Sequence, residues 1–190
     1  MLDEFKRDLL DLDDGRILDR YYYSGPSAIL ANEQVAELRR RIATEFKIPM
    51  RDVVIVGSCK LGFTLTQKDD RPPFSPFSDQ SDIDVAIISN QTYLKYWRIA
   101  YKYWDDYGDW QKIEKFKKYM FRGWLRPDML PKGEDFPEQK EWWDFLISLQ
   151  QSGDFGSYPV RTGVYYDELF WENYASSTFN GCRKILEQPL

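Results

Sequence analysis

Two carboxylates and a glycine-serine pair are the residues whose types and spacing point to chemistry. Asp82 and Asp84 stand two apart in Ser81-Asp82-Ile83-Asp84-Val85-Ala86-Ile87-Ile88-Ser89, and Gly57-Ser58 follows Val53-Val54-Ile55-Val56. Carboxylates held side by side repel and favour a cation between them. A hard divalent ion such as Mg²⁺ suits them, because it takes one or two protein carboxylates and completes its shell with phosphate oxygens and water. A Gly-Ser turn offers backbone N–H groups and a hydroxyl to a phosphate, with no Cβ at Gly57 to block the approach. Cation and phosphate cradle together describe phosphoryl or nucleotidyl transfer.

Two elements must hold these residues. Both apolar runs read as buried strands, since β-branched residues dominate and turn signals bound them. Gly57-Ser58 sits where the first strand ends, and the acids sit where the second begins. Successive strand side chains alternate between faces, so Asp82 and Asp84 leave the sheet on one side.

Gly57-Ser58 followed by Asp82-Ile83-Asp84 resembles the nucleotidyltransferase superfamily typified by DNA polymerase beta. The frame Val56-Gly57-Ser58-Cys59-Lys60-Leu61-Gly62-Phe63, then Phe77 and Ser81 to Val85, is similar to small bacterial stand-alone members. The resemblance covers residues 53 to 89. It implies an α/β (α+β) fold, a small mixed sheet backed by helices with added helical segments. One nucleotidyltransferase-like domain would span 1–190, with core strands at about 53–89 and 158–166 and a helical insert at about 91–152.

The resemblance also implies a nucleoside triphosphate, with ATP first, held by Gly57, Ser58, Lys60 and Ser81. Asp82 and Asp84 would be the catalytic pair and the ligands of Mg²⁺ or Mn²⁺. A nucleoside monophosphate would move to a protein, RNA or small-molecule hydroxyl. Small bacterial relatives often belong to toxin–antitoxin or anti-phage systems, which makes a neighbouring protein (toxin or effector) or a small RNA the expected partner. Lys60, three positions past Gly57, either reaches the triphosphate as a point charge or is a surface lysine. Active members commonly carry a third carboxylate on a later strand. Here the candidate strand has Arg161 and Thr162 but no interior acid, and Asp128, Asp167 and Glu168 fit that role poorly. The alternative is therefore a catalytically silent module that binds a nucleotide or a partner. A third reading makes Asp82 and Asp84 strand-end caps of a structural protein.

Composition narrows the field. The 190 residues contain no histidine, which removes Ser-His-Asp and Cys-His triads, a histidine base and the usual zinc sites. Acid–base work falls to carboxylates, lysine, tyrosine or a metal. Two cysteines are too few for a disulfide scaffold. A net charge of -5 argues against general DNA binding. No apolar run approaches the ~18 residues of a membrane span, and no signal-like start is present. A cytoplasmic protein without membrane contact is expected.

The remaining chain supplies the scaffold. Residues 1 to 30 predict one short helix and a loop, with Tyr21-Tyr22-Tyr23 covering a core edge or stacking a base. Asn32 predicts a helix cap, and the helix ends near Phe46 before Ile48-Pro49. Leu61, Phe63 and Leu65 alternate as in a strand that Asp69-Asp70-Arg71-Pro72-Pro73 would break. Leu94, Trp97, Tyr101 and Trp104 follow a helical spacing and predict a core-facing stripe, with nucleobase stacking the less favoured use. Ile113, Phe116 and Met120 predict a second helix. Lys112, Lys115, Lys117, Lys118, Arg122 and Arg126 form a cationic cluster, either a solvated helix face or a phosphate contact. Prolines on both sides of Asp128 predict a rigid loop that carries Arg126 and Asp128 to a cleft. Trp142, Phe145, Leu146 and Leu149 predict a helix. Tyr158 to Tyr166 predicts the third strand. Asp167 predicts the cap of a last helix with Phe170, Tyr174, Cys182, Ile185 and Leu186 inward.

Overall fold

A computed structural model describes residues 1–67 and 71–187. Asp69 and Asp70 of the expected strand break lie outside the described residues. Among those described, the sheet has four strands in the order β1-β2-β4-β3: β1 (Val53–Val56), β2 (Ile83–Ile88), β3 (Trp124–Leu125) and β4 (Val160–Tyr165). β1 pairs antiparallel with β2, β2 parallel with β4, and β3 antiparallel with β4. The protein is thus a mixed α/β structure with a small mixed sheet.

Strand alternation sorts the side chains into two cores. Val53, Ile55, Ile83, Val85, Ile87, Val160 and Val164 face one side. There α3 (Asn32–Phe46), α5 (Asn90–Tyr107), α6 (Ile113–Phe121) and α7 (Pro137–Gln151) cover the sheet. Val54, Ala86, Ile88 and Tyr165 face the other. That side is covered by α1 (Leu2–Asp11), α2 (Asp14–Leu18) and α8 (Glu168–Leu186). A sheet apolar on both faces needs helices on both, which is why its central strands read as continuous β-branched runs. Trp142 is the largest fully buried side chain among the described residues; its indole N–H donates to the Thr162 hydroxyl at 2.7 Å and so is satisfied.

Several expectations need correction. The N-terminal segment forms two helices, and Tyr21-Tyr22-Tyr23 continues from the second as a π turn spanning Asp19–Tyr23. Tyr21 and Tyr22 are buried, and the Tyr21 hydroxyl donates to Asp8. The expected strand from Leu61 does not form. Lys60 and Leu61 belong to a one-turn helix, α4 (Gly57–Leu61), and Phe63 makes only an isolated bridge to Pro76. The expected helical insert contains the edge strand β3, a two-residue element too short for periodicity to reveal.

Two helix faces are rotated from expectation by one residue. In α5 the buried residues are Thr92, Tyr93, Tyr96 and Ala100, while Trp97, Tyr101 and Trp104 are exposed. This helix is aromatic all round, so two stripes satisfy the same spacing. The Tyr93 hydroxyl, donating to the Met120 carbonyl at 2.7 Å, fixes which one turns inward. In α8 the buried face is Trp171, Ala175, Phe179 and Cys182, so Phe170, Tyr174 and Ile185 are displaced from the core line. The helix cap is as expected: the Asp167 carboxylate accepts from the Phe170 N–H.

Cys59 and Cys182 are buried thiols. Burial pushes the pKa of both up to about 11. At pH ~8 they are expected to resist a thiol reagent in the folded protein and to react once it is unfolded. Rapid modification of the native chain would contradict this packing.

Candidate active site

The site grows from the register of the central strands. Asp84 pairs across β1 with Val56 and across β4 with Arg161. By alternation its side chain leaves on the face shared by Ala86 and Ile88, the α8 side. Asp82 precedes β2 by one residue and has the same parity. Both acids line one cavity of about 380 Å³.

Gly57 places the turn against the second acid. The residue directly follows β1, whose last residue is the register partner of Asp84. Its φ is +67°, and a Cβ built there would lie 2.7 Å from Asp84 Oδ2. Only glycine suits both the left-handed backbone and this close approach. Ser58 lines the same cavity from α4. The four residues that the sequence singles out, Gly57, Ser58, Asp82 and Asp84, are therefore brought together.

The other expected site residues divide. Ser81 is buried on the cavity wall, where its hydroxyl accepts from the Ser78 N–H at 3.1 Å and from Arg71 at 3.3 Å. It ties down the loop before β2. Arg126, Asp128 and Arg161 also line the cavity. Arg161 lies over the Trp143 ring, 5.4 Å from its centre. Lys60 is not on the cavity wall. Its ammonium is buried, donates to the Gly25 carbonyl and lines a second cavity. Within a helix, two residues turn the chain by about 200°, so Lys60 leaves α4 opposite Ser58. The expectation that it reaches the triphosphate does not match this placement.

Asp128 follows β3 in a short turn spanning Pro127–Met129. Its carboxylate accepts from Arg126 Nε at 2.8 Å, with Lys112 Nζ at 3.5 Å and Lys115 Nζ at 3.8 Å. The expected cationic cluster thus converges in part on this acid. Burial pushes its pKa up, but Arg126 and then the two lysines prevail, and the net shift is downward. A depressed native pKa stabilises the fold above the unfolded value, and that stability is lost as pH falls through the folded one. Asp128→Asn is therefore expected to destabilise the protein at neutral pH, with the gap to the parent starting to close below about pH 4 and vanishing only below the depressed folded value, read from melts across pH.

Sequence reasoning missed two contributors. Arg71 lines the cavity and reaches Ser78 and Ser81, but in the sequence it stands only within a turn signal. Trp124 and Tyr165, stacked with planes 5° apart, form an aromatic end of the cavity with Tyr174. The signal of Trp124 is hidden because β3 itself has no sequence period, whereas Tyr165 lies on the expected third strand and only its stacking partner is illegible.

Among the described residues, no group of three or more His, Cys, Asp or Glu is placed to hold a metal ion. Asp82 and Asp84 on the cavity wall offer hard oxygen chemistry that fits Mg²⁺ or Mn²⁺ when phosphate oxygens and water supply the other ligands. Among the described residues no helix is long and apolar enough to cross a membrane. Family models, curated proteins and solved structures each yield no match to this chain.

Proposed function

We propose that the chain is a metal-dependent nucleotidyltransferase with a polymerase-beta-like core, transferring a nucleoside monophosphate from a triphosphate, ATP first, to a hydroxyl. The observation that carries this reading is the packing of Gly57 directly against the Asp84 carboxylate, at a cavity that Asp82 shares. A phosphate cradle and a carboxylate pair then serve the same few atoms.

Asp82 and Asp84 would hold Mg²⁺ or Mn²⁺, which supplies charge neutralisation for the phosphates. The Gly57-Ser58 turn binds the phosphate tail by backbone N–H and hydroxyl donors. Arg71 and Arg161, on the same wall, add positive charge where charge grows on the leaving group. The acceptor oxygen attacks the α-phosphorus, the bond from that phosphorus to the bridging oxygen breaks, and pyrophosphate leaves. The acceptor's proton passes to a base. Asp128 is the third carboxylate among the described residues of the cavity wall and would take it, although its three cations lower its pKa and make it a weak base. The acceptor belongs to a neighbouring protein, a small RNA or a small molecule, as in a toxin–antitoxin or anti-phage pair.

One observation favours a silent binding module instead. Arg161 stands opposite Asp84 in the register, on the strand where a third acid would serve, and Asp128 is engaged by three cations. Incubation with Mg²⁺ and each α-labelled nucleoside triphosphate, with co-expressed neighbours and RNA as acceptors, separates the two. Label transfer supports the enzyme. Stabilisation by Mg²⁺-nucleotide without transfer supports the module. Neither response would overturn both.

A further inference from the structure

The second cavity, of about 260 Å³, lies behind β1 on the side of α4 away from Ser58. Its wall carries Lys60, Arg39 and Arg51, together with Asn32 and Ser27. Among the described lining residues none is an acid. The three cations come from three separate places, α3, the turn before β1 and α4. The fold, rather than a run of basic sequence, brings them into one concavity.

The geometry is held from behind. Arg39 is fixed by Nε and Nη2, which donate to the Met50 carbonyl at 3.3 and 2.9 Å. Lys60 is 7% exposed, and the Gly25 carbonyl takes one of its donors. An ammonium has three donors. Arg51 sits at the rim, 3.6 Å from Asp52, which is not in the wall. Burial lowers the Lys60 pKa, and the positive charge of Arg39 lowers it further. A buried ammonium that shares a cavity wall with a guanidinium is unfavourable until an anion joins them.

We propose that this cavity is an anion site for the phosphate group of a small phosphorylated molecule, clamped by Lys60 and Arg39 with Arg51 at the opening. Arg39 offers planar donors and Lys60 a point charge, a combination suited to a tetrahedral oxyanion. The site is separate from the carboxylate cavity, and the proposal does not depend on the transfer reaction.

The test is titration of the intact protein with inorganic phosphate, followed by calorimetry and thermal melting, against chloride at equal ionic strength. Phosphate is expected to bind and to raise the melting midpoint of the parent beyond the effect of chloride. Lys60→Met and Arg39→Gln are each expected to weaken phosphate binding at least about tenfold. The absence of a phosphate-specific effect in the parent overturns the proposal. So does unchanged binding in both cation variants. Should Lys60→Met fail to fold, Arg39→Gln alone decides.

Discussion

Asp84→Asn is expected to reduce label transfer from the nucleoside triphosphate about a thousandfold, while the melting midpoint moves by no more than about 5 °C. The substitution keeps the shape of the side chain and removes one anionic ligand. A divalent ion at a transferring phosphate supplies several kcal/mol of charge stabilisation, and each ~1.4 kcal/mol is a factor of ten. Asp84 sits mid-sheet between Val56 and Arg161, so the strands hold its position whichever residue occupies it. Asp82→Asn is expected to act in the same direction. It lies before the strand, outside the ladder that fixes Asp84, so the effect is smaller. If both variants transfer label like the parent, the carboxylate pair is not the chemical centre. If the parent transfers nothing but is stabilised by Mg²⁺-ATP, that stabilisation is what Asp84→Asn should abolish.

The parts of this site that are legible in the sequence share one property. Each rests on a signal repeated over several residues. Val53 to Val56 and Ile83 to Ile88 are β-branched runs, and their ends locate Gly57 and the two acids. Strand parity alone places Asp82 and Asp84 on one wall, as found. Tyr158 to Tyr166 likewise contains β4. Single residues beyond such a run are less legible. Counting from Gly57 as though along an open loop brings Lys60 to the phosphates, but Gly57 opens a helical turn, and rotation carries the ammonium to the far side of α4. The aromatic faces of α5 and α8 mislead for a related reason. Where apolar residues surround a helix, spacing fixes the period but not the phase, and tertiary partners choose it. For α8 the choice falls on Ala175, whose small side chain is buried in the core line, while Tyr174 beside it is part exposed and both line the cavity. The edge strand Trp124–Leu125 carries no period at all, yet it positions Arg126 and Asp128 and brings Trp124 over Gly163, where a Cβ would stand 2.3 Å from the indole nitrogen.

Gly57→Ala should be the most damaging single-methyl change in the site, through two effects that a second glycine separates. The backbone at Gly57 is left-handed, with φ +67°. An alanine in that conformation costs about 1–2 kcal/mol. The new Cβ would also lie 2.7 Å from Asp84 Oδ2 and 3.2 Å from Asp84 Cβ. The carboxylate can swing, but the Cβ of a mid-sheet residue cannot retreat without disturbing both ladders. Gly153 has a similar φ of +72°, and a Cβ there would meet nothing within 4 Å, so Gly153→Ala reports the backbone strain alone. Gly153→Ala is expected to lower the melting midpoint by about 2–6 °C and to leave nucleotide handling intact. Gly57→Ala is expected to lower it by about 5–15 °C, as strain and contact add. It should also remove Mg²⁺-dependent nucleotide binding, because the swing that relieves the clash takes the carboxylate away from its partner acid. Equal melting of the two variants would mean that the turn does not press on Asp84, and the shared cradle of phosphate and cation would lose its physical basis.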